Sequence, residues 1–165
     1  MIALERIVVA TDFGRAAEAA LAYGRELART FGAKLDVLHV VEEVSGRAVG
    51  IDGYVAIWPE IQSRIEDAAR ERLELLLSEA DRAVLGARGV IRTSNWPALE
   101  IVAYADRTRA NLIVVGTHGR GAMAQLLIGS VAERVVRTAP CPVLTIRHPE
   151  HEFVLPDNRV AVATT

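Results

Sequence analysis

Four short, almost wholly aliphatic runs constrain this chain more than any other feature. They are Ile7 to Ala10, Leu35 to Val41, Leu112 to Val115 and Val143 to Ile146. Runs of this length, with little polar alternation, read as strands buried on both faces, the condition of strands in a parallel sheet. A fifth, weaker run, Gly89-Val90-Ile91-Arg92, reads as a strand nearer an edge.

Helical patterns separate the runs. Ala17, Ala20, Leu21, Gly24, Leu27, Ala28 and Phe31 fall on one face, and Gly32 closes that helix. Trp58-Pro59 opens the longest pattern, striped by Ile61, Ile65, Ala69, Leu73, Leu76 and Ala80 and closed at residues 84–86. Asn95-Trp96-Pro97 leads into a third helix that buries Ala98, Ile101, Val102 and Ala105. Ser130 begins a fourth, with Val131, Val135 and Val136 inside. Both tryptophans are expected to start helices and pack. Strict alternation of strand and helix predicts an α/β fold, a doubly wound parallel sheet of five strands with helices on both faces.

Two stretches escape the pattern. Residues 42–57 carry three glycines without periodicity and read as a long loop. Residues 148–165 lie beyond the last core strand. The chain therefore reads as one domain over residues 1–147 and a tail over 148–165, whose Val160 to Ala163 would add a strand or meet a partner.

Composition removes several functions. A net charge of −2 argues against nucleic acid as a partner. The single cysteine, Cys141, excludes an internal disulfide framework and suits a reducing, cytoplasmic compartment. Its place between two prolines suggests packing. No apolar run is long enough for a membrane span.

In an open parallel sheet, ligands bind where the strands end and their order reverses. Ala10-Thr11-Asp12 follows the first strand, and Asp12 is placed to cap the first helix, to line a pocket, or both. The fourth strand runs into Gly116-Thr117-His118-Gly119-Arg120-Gly121, and nine residues separate Gly119 from Gly129-Ser130. The physical reading is phosphate binding. Glycines admit close backbone approach, and the first turn of the helix at Ser130 offers amides and the positive end of the helix dipole. His118 and Arg120 would add charge. A plain glycine turn, with Ser130 as an ordinary N-cap, is the competing reading. There is no Gly-Lys-Ser/Thr and no Gly-x-Gly-x-x-Gly, which excludes a Walker loop and argues against a nicotinamide fold. His39, inside a strand, reads as a satisfied core histidine. His148 and His151 offer only two donors for a metal, so no metal site is assigned.

The set Gly116, Gly119, Gly129 and Ser130 matches Gly-x2-Gly-x9-Gly-Ser/Thr. It sits within Asn111-Leu-Ile-Val-Val-Gly-Thr-His-Gly-Arg-Gly and Ala139-Pro-Cys-Pro-Val-Leu-Thr-Ile-Arg147. With Ile7-Val-Val-Ala-Thr-Asp-Phe13 and Leu38-His-Val-Val41, this resembles the universal stress protein family in its ATP-binding branch, over about residues 5–147. The resemblance implies the strand order 3-2-1-4-5 and a homodimer, often through the last strand, with a tetramer left open. It implies ATP or another adenine nucleotide as ligand, with Mg²⁺ carried mainly by the nucleotide. Backbone groups of Val40 would hold adenine; Ala10, Thr11, Asp12 and Gly116 would lie near the ribose; Gly119, Gly129, Ser130 and Val131 would contact phosphate. Gly14 replaces the family's common serine and is expected to loosen the turn beside Asp12.

No nucleophile-and-base set accompanies the loop, so no catalytic residue is assigned. The expected function is a nucleotide-dependent regulatory switch in the stress response, acting on an unidentified protein partner, with slow ATP hydrolysis at most. A nucleotide-free dimeric interaction module, an adenylyl-transfer enzyme of the same fold group and a flavin carrier are the alternatives.

Overall fold

The computed structural model describes residues 3–44, 58–117 and 129–147. Among them run β1 (Arg6–Ala10), α1 (Arg15–Phe31), β2 (Lys34–Val41), α2 (Trp58–Leu76), α3 (Glu79–Leu85), β3 (Arg88–Thr93), α4 (Pro97–Thr108), β4 (Leu112–Gly116), α5 (Ser130–Thr138) and β5 (Val143–Ile146). The five strands form one all-parallel sheet in the order β3-β2-β1-β4-β5. The weak fifth run is thus an edge strand, as its composition implied. The strand order reverses between β1 and β4, which pair in register from Ile7 with Leu112 to Ala10 with Val115.

The aliphatic runs make two cores because alternate side chains leave opposite faces of a strand. Ile7, Val9, Leu35, Val37 and Val114 face one core, with Ala20 and Leu21 of α1 and Leu73 of α2. Val8, Ala10, Leu38, Ile113 and Val115 face the other, with Ile101 and Ala105 of α4 and Val135 of α5. A strand needed on both sides cannot carry regular polar alternation, which is why these segments read as largely apolar runs, with Asp36 and His39 as exceptions within β2.

Several local expectations are corrected. The long pattern from Trp58 is two helices, broken after Leu76. Ser78 starts the second with a reciprocal capping box: its hydroxyl accepts from the Asp81 amide, and the Asp81 carboxylate accepts from the Ser78 amide. The break leaves Ala80 exposed and brings Leu77 into the core. Val136 is 49% exposed, since Val135 takes the inward position on α5. Trp96 is 63% exposed and does not pack. The side chain of Trp58, residues 45–57 of the expected loop, and residues 148–165 with His148 and His151 lie outside the described residues. Cys141 packs against the α4/α5 core, where burial pushes its thiol up.

The main feature that sequence reading overlooked is Asp36, which is wholly buried within β2. Arg88 donates to its two oxygens from Nε (2.6 Å) and Nη2 (3.2 Å), Arg6 from Nη1 (2.8 Å), and the Tyr104 hydroxyl to Oδ2 (3.0 Å). Burial alone would raise this carboxyl. The hydrogen bonds and charges of Arg88 and Arg6 outweigh it and hold the group below its ordinary value of 3.8. A group depressed on folding stabilises the fold above its unfolded pKa, and that contribution disappears as pH falls through the folded value. Asp36→Asn is expected to cost about 3 kcal/mol in denaturant unfolding at pH 7. The gap from wild type should close below about pH 4; an equal gap at pH 7 and pH 3 would refute this account.

Candidate functional site

At the carboxyl ends of the strands, beside the reversal, lies a cavity of about 300 Å³. Its wall includes Ala10, Thr11 and Asp12 after β1, Val40 of β2, Gly116 of β4, and Gly129, Ser130 and Val131 at the start of α5. Eight residues singled out from the sequence therefore line one cavity. The other three, His118, Gly119 and Arg120, lie outside the described residues. Sequence reading missed Leu38, His39, Pro97, Ile101, Val115 and Thr117 as lining. Nothing in their local patterns distinguishes them from ordinary core and turn residues; only the sheet order brings them here.

The β1 end is tightly fixed. The Thr11 amide donates to the Leu38 carbonyl (2.9 Å), and the Thr11 hydroxyl accepts from the Phe13 amide (3.0 Å). His39 Nδ1 lies 2.7 Å from the Thr11 carbonyl oxygen. A carbonyl only accepts, so Nδ1 carries a proton. His39 is satisfied, as expected, yet it stands at the cavity wall and is not enclosed in the core.

Asp12 is not the helix cap. Gly14 holds that position, and Asp12 Oδ1 accepts from the Gly14 amide at 2.9 Å in a closed turn. At Gly14 the backbone amide closes the turn, and a Cβ there would sit 3.0 Å from Asp12 Oδ1. Phe13 carries the left-handed backbone instead, with φ of 64°. That conformation costs a bulky residue about 1–2 kcal/mol. Its ring is held on the His39 ring at a centroid distance of 4.4 Å, with the Arg72 guanidinium 4.3 Å from its centroid.

At the α5 end the cavity meets the start of a helix. Gly129, not Ser130, is the N-cap, and no side chain caps the helix. Ser130 is exposed in the first turn. The Gly129 amide is spent on the Thr117 carbonyl, whose own amide donates to Ile146 of β5 at 2.8 Å. Among the described residues no side chain bonds the first-turn amides of α5, and Ser130, Val131 and Ala132 of that turn line the cavity. Among the described lining residues, Asp12 is the one carboxylate and there is no lysine or arginine.

Gly116 has a packing reason besides any ligand. A Cβ on it would come within 2.7 Å of the Ala16 carbonyl carbon and 2.9 Å of that residue's oxygen and Cβ. The close approach of α1 to the end of β4 thus demands glycine, and it shapes the floor of the cavity.

The sequence model of the universal stress protein family matches residues 3–147. A universal stress protein of Methanocaldococcus jannaschii is 30% identical over 148 residues, covering 90% of this chain and 85% of the relative. Among solved structures, the universal stress protein UspA from Lactobacillus plantarum superposes with a TM-score of 0.70 at 26% identity, covering 89% of this chain and all of that one. The universal stress protein from Archaeoglobus fulgidus in complex with dAMP does so with a TM-score of 0.53 at 25% identity, covering 88% and 99%.

Gly116→Ala is expected to lower stability by about 2 kcal/mol, because backbone must move to admit one methyl group. Thermal unfolding would read this as a fall of about 4–8 °C. An unchanged melting temperature would show that α1 and β4 separate freely, contrary to the contact described.

Proposed function

This chain belongs to the universal stress protein family, and from that premise we propose that its cavity binds an adenine nucleotide, with ATP the first choice. The observation that carries the reading is the order of groups across the strand ends. Val40 stands on β2, Asp12 follows the neighbouring β1, Gly116 ends the next strand β4, and the uncapped start of α5 lies beyond. Neighbouring strands lie about 4.8 Å apart, so β2 to β4 spans about 10 Å. That length suits a base, a sugar and the first phosphate laid across the sheet.

In this reading the backbone of Val40 meets adenine, with apolar Leu38 of the same strand and Ile101 of α4 at the base end. Asp12, with Ala10 and Thr11, faces the ribose hydroxyls, for which a carboxylate is a strong acceptor. The α5 amides from Ser130 onward take phosphate, with Gly119, His118 and Arg120 completing that end. The dAMP complex of the Archaeoglobus fulgidus relative supports the ligand class. Mg²⁺ would travel with the phosphates. Among the described residues no three His, Cys, Asp or Glu side chains gather into a metal cage.

The nucleotide acts in this proposal by being held, biasing a surface for a second copy of the chain and for a regulatory partner in the cytoplasm.

Gly129→Asp separates ligand from fold. Gly129 has φ of −55° and ψ of 146°, open to any residue, and aspartate is a favoured N-cap. The variant should keep or slightly raise the melting temperature while placing a negative charge where phosphate would sit. Calorimetric titration of nucleotide-stripped protein with Mg-ATP is expected to give micromolar binding, about 8 kcal/mol at 1 μM, weakened at least about tenfold in Gly129→Asp. No heat with intact wild type, or equal affinity in the variant, would overturn the proposal.

A further inference from the structure

A second cleft, of about 380 Å³, opens between the edge strand β3 and α4, and it is walled by Arg88, Arg92, Tyr104 and Thr108. Arg88 and Arg92 lie four residues apart on β3 and so share a face of the sheet. Both reach Tyr104: Arg88 Nη2 donates to its hydroxyl oxygen at 3.2 Å, and the Arg92 guanidinium carbon lies 5.5 Å from its ring centroid.

The two guanidiniums differ in how they are held. Arg88 is locked through Nε and Nη2 on the buried carboxylate of Asp36, which leaves its Nη1 without a hydrogen bond among the described residues. Arg92 donates from Nη1 to the Ile91 carbonyl (3.2 Å), and its Nε lies 3.7 Å from Glu100, which also pairs with Arg107; Nη2 makes no hydrogen bond among the described residues. Arg6, Arg88, Arg92 and Arg107 thus surround two carboxylates, Asp36 and Glu100. This leaves a local excess of two positive charges on a chain whose net charge is −2. An exposed arginine suffices to guard a sheet edge against pairing. Guarding does not call for two guanidiniums gathered on one phenol, one of them pre-set by a buried acid, with spare donors over an open cleft.

We propose that this cleft is a second anion site, which takes a phosphate group between Arg88 Nη1 and Arg92 Nη2. Guanidinium groups bind phosphate with charge-assisted hydrogen bonds, and a pre-set fork loses little freedom on binding. The site is independent of the strand-end cavity and stands or falls apart from it.

The test is a titration of isotope-labelled full chain with inorganic pyrophosphate at 0.1 M salt, followed by backbone amide and arginine Nε–H resonances. Saturable shifts are expected at residues 88–92, Tyr104 and Thr108, with half-saturation at or below about 1 mM. Arg92→Gln, at a half-exposed side chain, should weaken them about tenfold, the loss of one charge-assisted contact. Arg64→Gln, on the exposed face of α2, should leave them unchanged. Shifts confined to residues 116–117 and 129–132, linear shifts along β3, or equal saturation in Arg92→Gln would each overturn the proposal.

Discussion

The carboxylate of Asp36 ties four elements together at one buried charge. Arg6 comes from the start of β1, Arg88 from the start of β3 and Tyr104 from α4, and all meet an acid inside β2. A buried charge that lost its partners would be costly, so these contacts are obligatory for the fold. Their effect travels along α4. Ile101 and Pro97 precede Tyr104 by three and seven residues, one and two turns, and both stand at the wall of the strand-end cavity. Fixing Tyr104 at the amino end of the sheet therefore sets the height of the cavity wall at the other end.

The strand ends themselves are made stiff by main-chain contacts. The Thr11 amide and carbonyl are both engaged by β2, the first by Leu38 and the second by His39. Thr117 is joined to β5 and to the cap of α5. Between these anchors, the left-handed Phe13 is, among the described residues, the bulky side chain on an unfavourable backbone beside the cavity. Its ring lies between His39 and Arg72 of α2, so the turn that presents Asp12 is braced from both sides. A rigid frame of this kind presents groups in place before a ligand arrives, which lowers the cost of ordering on binding.

Much of this was legible in the residues. Largely apolar runs give away doubly buried strands, and Gly32 and Gly86 end helices as glycine does. The strand-end rule pointed to Thr11, Asp12, Gly116 and Ser130, and the family resemblance added Ala10, Val40, Gly129 and Val131; all eight line the cavity. The failures have physical causes as well. A polar residue inside an apolar strand leaves no mark of its partners, so Asp36 gave no hint of arginines at sequence separations of 30 and 52. Leu76 and Ala80 continued an apolar stripe that a capping box at Ser78 interrupts, because local hydrogen bonding outcompetes one more helical turn. Gly116 was read as making room for a ligand, whereas the atoms a side chain would strike belong to Ala16. Spacing motifs report that a glycine is needed, and only packing tells which neighbour needs it.

The electrostatics of the cavity add a directional argument. Asp12 is the one carboxylate on the described wall, and the favourable field for an anion sits at the start of α5, on the far side of Gly116. A polyphosphate against Asp12 would meet like charge, while a sugar hydroxyl there would meet an acceptor. At α5, phosphate would meet amides with the positive end of the helix dipole behind them. Reversing the ligand would forfeit both interactions at once. The polarity of the wall thus favours one orientation of a nucleotide, with its base toward β2 and its phosphates toward α5. For the nucleotide proposed above, the strand order would set that orientation, since β1 lies between β2 and β4 and carries its acid in the middle of the row.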